Sequence, residues 1–242
     1  MKERVERTHD KALYLAENRY EAPKEYFRVL CDMATAEGHL RPGQRICDIG
    51  CAAGEFLHYV SRACPGARLE GYDPVPELLE KARQHVPGAQ FKAGSVLDRA
   101  LLKEGSVDTC FLLGVHSIFD EFETCFGNLL AWTRPGGAVY IFGAFNPYPV
   151  DVWVKYRLAD GHEAEHREPG WNMFSKVSVA RFLDRQGMQG RYSFTPFELP
   201  FDLLRNATDL VRTWTMRDCE GRRQFVNGLM LLVNLEILVV RP

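Results

Sequence analysis

Residues 46–60, ICDIGCAAGEFLHYV, run from an apolar stretch through Asp48 to Gly50 and Gly54, then into apolar residues spaced as on a helix. Strand, glycine turn, helix is the opening of a βαβ unit. At the carboxyl end of a parallel strand such a turn lets the backbone approach a ligand and aims the first amides of the next helix at it. The spacing Gly50-Cys51-Ala52-Ala53-Gly54 lacks the middle glycine that a pyrophosphate requires. Asp48 argues the same way, because a carboxylate repels a phosphate and attracts an ammonium or sulfonium. Asp73, 25 residues further on, ends a second apolar run, ARLEGYD, at the position from which a carboxylate accepts hydrogen bonds from ribose hydroxyls. A nucleoside with a cationic amino-acid tail satisfies both carboxylates.

Working outward, the pattern predicts strands at 44–49, 67–73, 107–114 and 137–145, with a weaker one at 89–94. Helices are expected over 53–61, 76–85 and 120–132, the last ended by RPGG at 134–137. Residues 21–40 read as an amphipathic helix with Pro23 in its first turn, placed to cover the sheet or the cleft. Residues 146–174, rich in Pro, Gly, His and Trp, interrupt the alternation as an inserted functional loop does. Beyond it come a helix over 175–187 capped by Ser175, a strand over 191–199, a hairpin in RTWTMRDCEGRRQFVNG, and a last strand LEILVV.

The 242 residues, 46% hydrophobic and 12% aromatic, suffice for the core of one large domain. A formal net charge of −2 without any basic block gives no footprint for nucleic acid or a membrane surface. The seven cysteines lie mostly among apolar residues without CxxC spacing, so they read as reduced core thiols and no metal is expected. The N-terminus MKERVERTHDK has no apolar core, and LMLLVNLEILVV at 229–240 is interrupted by Asn234 and Glu236, so the expected location is cytoplasmic.

The segments ICDIGCAAGEF, GYDP, FKAGSVLD, VDTCFLLGVHSIFDEF and RPGGAVYIF, taken in this order and spacing, resemble the class I S-adenosylmethionine-dependent methyltransferases. The resemblance implies an α/β, Rossmann-like, seven-stranded mostly parallel sheet with helices on both faces, an antiparallel C-terminal hairpin and a lid insertion after the fifth strand. It implies a single methyltransferase domain over 1–242: an N-terminal helical cap at 1–43, a cofactor-binding core at 44–145, the lid at 146–174, and a C-terminal helix and strands at 175–242. For the cofactor S-adenosylmethionine, Asp48, Gly50 and Gly54, with Cys51 between them, would border the methionine portion. Asp73, followed by Pro74, would bind the ribose, Ser95 and Val96 would lie by the adenine, and Leu113 and Gly114 would line the sulfonium side. Many relatives carry Asp where this chain has Ser95, so the contact to the adenine amine passes to Ser95, to Asp98 or to backbone.

Methyl transfer from a sulfonium is an in-line displacement, in which alignment and exclusion of water do most of the work and a base is needed only for a hydroxyl acceptor. His116, just past the fourth strand, is the candidate base, set against a packing role for the same residue. Asp120 and Glu121 read as helix caps. His162 and His166, at i and i+4, have metal-ligand spacing but are explained more simply as part of a solvated insertion. Tyr148, Trp153, Tyr156, Trp171 and Phe174 would sit over the carboxyl edge of the sheet, either as an acceptor wall or as packing within the lid, while Tyr14, Tyr20 and Tyr26 stand where an N-terminal segment could close over the cofactor. The lid is also similar to methyltransferases of bacterial surface-polysaccharide and natural-product clusters. The expected acceptor is therefore a small molecule or carbohydrate, O-methylated first and N- or C-methylated second, with the chain a monomer or homodimer. A nicotinamide dehydrogenase or a non-catalytic cofactor-binding subunit are the competing classes.

Overall fold

The computed structural model describes residues 8–157, 159, 167–209 and 211–242. Five strands, β1 (Arg45–Ile49), β2 (Arg68–Asp73), β3 (Gln90–Ala93), β4 (Val107–Leu113) and β5 (Thr133–Asn146), run parallel. β6 (Tyr192–Pro196) and β7 (Leu235–Val240) complete the sheet, with β7 antiparallel to both β5 and β6. The order is β3-β2-β1-β4-β5-β7-β6, so the antiparallel C-terminal hairpin that the family resemblance implies is present, with Leu238 opposite Phe194.

Alternation along the central strands splits the core into two layers. Phe111, Tyr140 and Ile237 face one side, with Leu30 of α2 (Glu25–Ala36), Phe56 and Leu57 of α3 (Glu55–Ala63) and Leu79 of α4 (Pro76–His85). Cys110, Ile141 and Leu238 face the other, with Phe126 and Trp132 of α5 (Glu123–Trp132) and Val179 and Phe182 of α6 (Lys176–Arg185). Each such side chain contributes about 1.5–3 kcal/mol by leaving water. α1 (Thr8–Ala16) packs on α4, held by Lys11 bonding to Glu77.

The element boundaries differ from the sequence pattern where backbone geometry overrides periodicity. α2 starts at Glu25, after Pro23 and an extended Lys24, and α3 waits until Glu55 because Gly54 is left-handed. RPGG does not separate α5 from its strand. Thr133 already pairs with Val107, and the next pair is Thr109 with Ala138, so the four residues form an irregularity within β5.

Two excursions rise from the carboxyl edge. The first, after β5, is tied by a Val152–Met173 bridge, by a two-residue ribbon of Lys155–Tyr156 with Glu168–Pro169, and by Phe174–Ser175 alongside the end of β5. Buried Asn172 anchors it: Nδ2 donates to Phe119 O at 2.7 Å and Oδ1 accepts from Val154 N at 2.7 Å. The second lies between β6 and β7. The expected hairpin, Trp214–Arg217 with Arg223–Val226, is there and gains a third strand, Leu232–Val233.

Gly71 of β2 gives a test of how tightly β2 packs against its neighbours. A Cβ there would lie 2.6 Å from the Phe91 ring and 2.8 Å from Cys51 Sγ. Gly71→Val is expected to destabilise the fold by about 1–3 kcal/mol through overpacking, measured as a lower urea midpoint, whereas an unchanged midpoint would show that this face has room.

Candidate active site

The glycine turn between β1 and α3 is built on three left-handed residues, Gly50 (φ 79°), Ala52 (φ 45°) and Gly54 (φ 75°). The glycines reach this region freely, while alanine does so at about 1–2 kcal/mol. Ala52 is held there by Asp73, whose Oδ2 accepts from Ala52 N at 2.9 Å while Oδ1 accepts from Val75 N at 2.9 Å. One buried carboxylate thereby fixes the loops after both β1 and β2, and each of its oxygens keeps a lone pair for a further donor. The amides of Gly50 and Cys51 both donate to Tyr72 O, at 2.7 and 3.0 Å.

Asp48 is only 2% exposed, and its Oδ1 has no hydrogen-bond partner. Burial, reinforced by the nearby Asp73 charge, pushes its carboxyl up to about 8. A buried carboxylate without a partner is costly, so the site as it stands favours the protonated acid and would favour the anion once a cation arrived. The turn is also closely packed, since a Cβ at Gly50 would lie 2.4 Å from Val115 and one at Gly54 2.9 Å from Ala82.

The remaining cofactor candidates follow along the same edge. Pro74 is exposed after β2, Val96 is buried after β3 with its carbonyl accepting from Asn128 Nδ2 at 2.8 Å, and half-buried Leu113 with exposed Gly114 ends β4. Adjacent strands β3-β2-β1-β4 thus bring all ten residues to one rim. Asp98 Oδ1 accepts from Ala100 N at 3.0 Å. Ser95 Oγ accepts from Leu97 N at 3.3 Å, and its hydroxyl proton is left to donate.

His116 differs from the expectation of a base facing an acceptor. It is 0% exposed, its ring stacks on Phe145 at 4.7 Å, and Nε2 lies 3.2 Å from Ala144 O, which fixes the proton there. Burial lowers its pKa to about 4. The ring fills the space a side chain at Gly143 would take, with Cε1 2.4 Å from the Cβ position. What the residue does is pin the loop after β4 onto β5.

The lid aromatics do not converge into one wall. Tyr148 and Trp153 are 72% and 55% exposed. Trp153 donates its indole N–H to Asp120 O at 2.8 Å and meets Phe174 edge-on. Tyr156 and Trp171 face each other at 6.0 Å, the Tyr156 hydroxyl bonding to Glu168. His162 and His166 lie outside the described residues, and among the described residues no three His, Cys, Asp or Glu side chains gather as a metal site does.

A continuous aromatic wall comes from other residues. Tyr26 stacks on Phe142 at 4.2 Å, Phe142 meets Phe197 at 5.1 Å, and Phe197 stacks on Phe225 at 6.2 Å. The N-terminal segment closes beside it. The Tyr20 hydroxyl donates to Ala53 O at 2.5 Å, Lys81 Nζ donates to the carbonyls of Tyr14, Leu15 and Glu17, and Glu55 accepts from Arg19 N at 3.1 Å. Glu17 gathers Arg19, Lys24 and Arg212 around one carboxylate. Burial opposes its ionisation, yet the three cations hold it down at about 2.

Residues 46–137 match the family described as a methyltransferase domain. A trans-aconitate 2-methyltransferase from Azoarcus sp. is 30% identical over 96 residues, 40% of this chain and 37% of that protein. The chain thus spans well under two thirds of that relative. Among solved structures, a chain of the complex between the Haloferax volcanii Trm112 methyltransferase activator and a methyltransferase aligns with TM-score 0.58 at 16% identity, over 98% of this chain and 99% of that one. A SAM-dependent methyltransferase from Aquifex aeolicus aligns with TM-score 0.53 at 14% identity, over 98% and 100%. At these identities the structures establish the shared fold.

Asp48 makes stability depend on pH in a definite sense. Its folded pKa, about 8, lies above the ordinary value of 3.8, so the unfolded chain ionises first and stability drains as pH rises from about 4 to about 8. Asp48→Asn removes this loss. The variant is expected to exceed the wild type in urea stability by on the order of 1 kcal/mol or more at pH 8, with the gap closing toward pH 4. A gap that does not grow with pH would show that Asp48 ionises freely.

Proposed function

We propose that this chain, whose residues 46–137 match a methyltransferase domain, transfers the methyl group of S-adenosylmethionine to a small-molecule acceptor. The observation that carries this is the buried, unpartnered Asp48 Oδ1 beside the doubly bonded Asp73 on the neighbouring strand tip. A cation bearing a ribose meets both needs: its ammonium satisfies Asp48, and its ribose hydroxyls take the free lone pairs of Asp73. When bound, the cofactor supplies an electrophilic methyl on a positive sulfur. The chain supplies position. Leu113 and Gly114 hold the end of β4, and Gly114 N is fixed by its bond to Phe142 O at 2.8 Å. The wall of Tyr26, Phe142 and Phe197 excludes water from the face where an acceptor aligns.

For the acceptor we infer a hydroxyl of a small or carbohydrate-like molecule. The exposed Tyr148 and Trp153, with the Tyr156–Trp171 pair, offer aromatic faces of the kind that receive sugar rings. His116 is a positioning residue in this scheme, since an enclosed imidazole with its pKa near 4 is a poor proton acceptor at neutral pH. Asp73→Ala is expected to weaken both S-adenosylmethionine and S-adenosylhomocysteine by about 2–3 kcal/mol in calorimetry, and wild-type binding of neither would end the reading. Transfer of labelled methyl from the donor across a panel of hydroxyl, amine and carbon acceptors decides the atom modified. In that assay His116→Asn should lower kcat without moving the pKa of the pH–rate profile, and a shifted pKa would restore His116 as the base.

A further inference from the structure

The sheet ends at β6, whose far side has no neighbouring strand. Which backbone groups that leaves open follows from the phase of its pairing with β7. Arg241 N donates to Arg191 O and Phe197 N to Leu235 O, flanking the register that joins Tyr192 to Val240 and Pro196 to Glu236. Bonded and unbonded pairs alternate along an antiparallel ladder. Tyr192, Phe194 and Pro196 therefore turn their backbone away from β7, and among the described residues the amides of Tyr192 and Phe194 meet no acceptor. Natural edges are usually blunted by a bulge, a proline or an inward charge. Here the pairing runs without a bulge, and Pro196 stands only at the far end.

A groove of about 770 Å³ opens between this edge and α6. Tyr192 and Phe194 line it, so the residues with open backbone are the ones whose side chains face the groove. Val177 and Ala180 of α6 add apolar surface, and Val177 is 43% exposed. The charges around it are three cations, Lys176, Arg181 and Arg185, against one carboxylate, Asp184. Lys176 is committed to Glu236 at 2.9 Å, and Asp184 Oδ1 accepts from the Tyr192 hydroxyl at 3.1 Å. Arg181 and Arg185, one helical turn apart and exposed, have no carboxylate partner among the described residues. Solvated arginines on a helix are ordinary. A pair of them above apolar surface and beside an open strand edge is the arrangement in which an extended peptide adds as a strand, its main chain bonding the edge and its alternate side chains entering the groove.

We propose that β6 and α6 dock an extended acidic segment of another protein, which continues the sheet beyond β6 and sets carboxylates against Arg181 and Arg185. The surface lies outside the residues assigned to donor and acceptor, and its occupancy does not depend on the methyltransferase reading. The test is fluorescence anisotropy with a capped peptide of repeating valine, threonine, glutamate and threonine, a copy with lysine in place of glutamate, and a copy of the first with every amide N-methylated. The wild type is expected to bind the glutamate peptide more tightly than the lysine peptide by about 10-fold or more, and not to bind the N-methylated copy. The double variant Arg181→Glu, Arg185→Glu should invert the preference and keep the urea midpoint and the affinity for S-adenosylmethionine of the wild type, since both side chains are exposed. Hydrogen exchange at the amides of Tyr192 and Phe194 should slow in the complex, a readout that charge attraction alone does not move. Failure of the glutamate peptide to bind, equal binding of its N-methylated copy, a preference that survives the charge reversal, or unslowed exchange at those amides overturns the proposal. So does protection of the same amides in a dimer of the protein by itself, which makes a second copy the occupant. Absence of donor binding falls on the methyltransferase reading alone.

Discussion

A carboxylate enclosed without a partner is the constraint around which the carboxyl edge of this sheet is organised. Asp48 sits on a strand with its side chain out of water, next to a second carboxylate that makes its ionisation harder still. Such an arrangement costs stability in the empty protein. It is tolerated because the elements on either side are strongly determined: β1 is flanked by β2 and β4 in register, and the glycine turn is locked by Tyr72 O and Asp73. The strain of a left-handed Ala52 is carried by the same carboxylate that holds the β2 loop. Strain, burial and charge repulsion therefore collect at one spot, where a cation with hydroxyls relieves all but the first.

The cover over that spot is assembled from distant parts of the chain. Residues 14–26 are tied down by Lys81, by the Tyr20–Ala53 bond and by Glu55. Arg212, from the excursion between β6 and β7, reaches the same Glu17 as Arg19 and Lys24. Exposed ion pairs stabilise little, but a carboxylate with a side chain 10% exposed and three cations around it is a different case. Removing any one cation leaves the others to share a buried charge, so the cap and the second excursion are expected to move together. The cap and the second excursion therefore share one buried carboxylate, and substitutions in the two are expected to be coupled energetically.

How much of this was legible beforehand follows from range in sequence. The strands came from local alternation, and Asp48 and Asp73 came from their positions at strand ends, because both are set by residues within a few positions, whereas the order of the strands in the sheet is a matter of long-range pairing. Helix starts were displaced where a single backbone angle overrode periodicity, as at Gly54. The Glu17–Arg212 contact, spanning 195 residues, has no local signal, and neither does the stacking of Tyr26, Phe142, Phe197 and Phe225. His116 was legible as a residue at the right strand but not in its orientation. Only Gly143, whose missing side chain makes room for the ring, held a clue, and that clue is readable only once β5 and the β4 loop are seen together. Lys24 stood in plain view beside Pro23, yet a lysine before a helix is ordinarily solvated. Its burial is a consequence of the cap, not of its neighbours in sequence.

The division of labour between charge and apolar surface bears on how the chemistry would run. Methyl transfer to a neutral acceptor moves positive charge from sulfur toward the acceptor and disperses it in between. A polar, hydrated face would stabilise the compact charge of the starting sulfonium more than the dispersed charge of the transition state. On the proposed reading the fixed charges of Asp48 and Asp73 would meet the donor's tail and ribose, while the stacked rings of Tyr26, Phe142 and Phe197 would stand beside Leu113 and Gly114. Binding energy collected at the charged end can then hold the donor against a dry face that favours dispersal of its charge. Such a layout places the main requirement on alignment, and it is consistent with a His116 kept neutral and buried, working through the loop it pins.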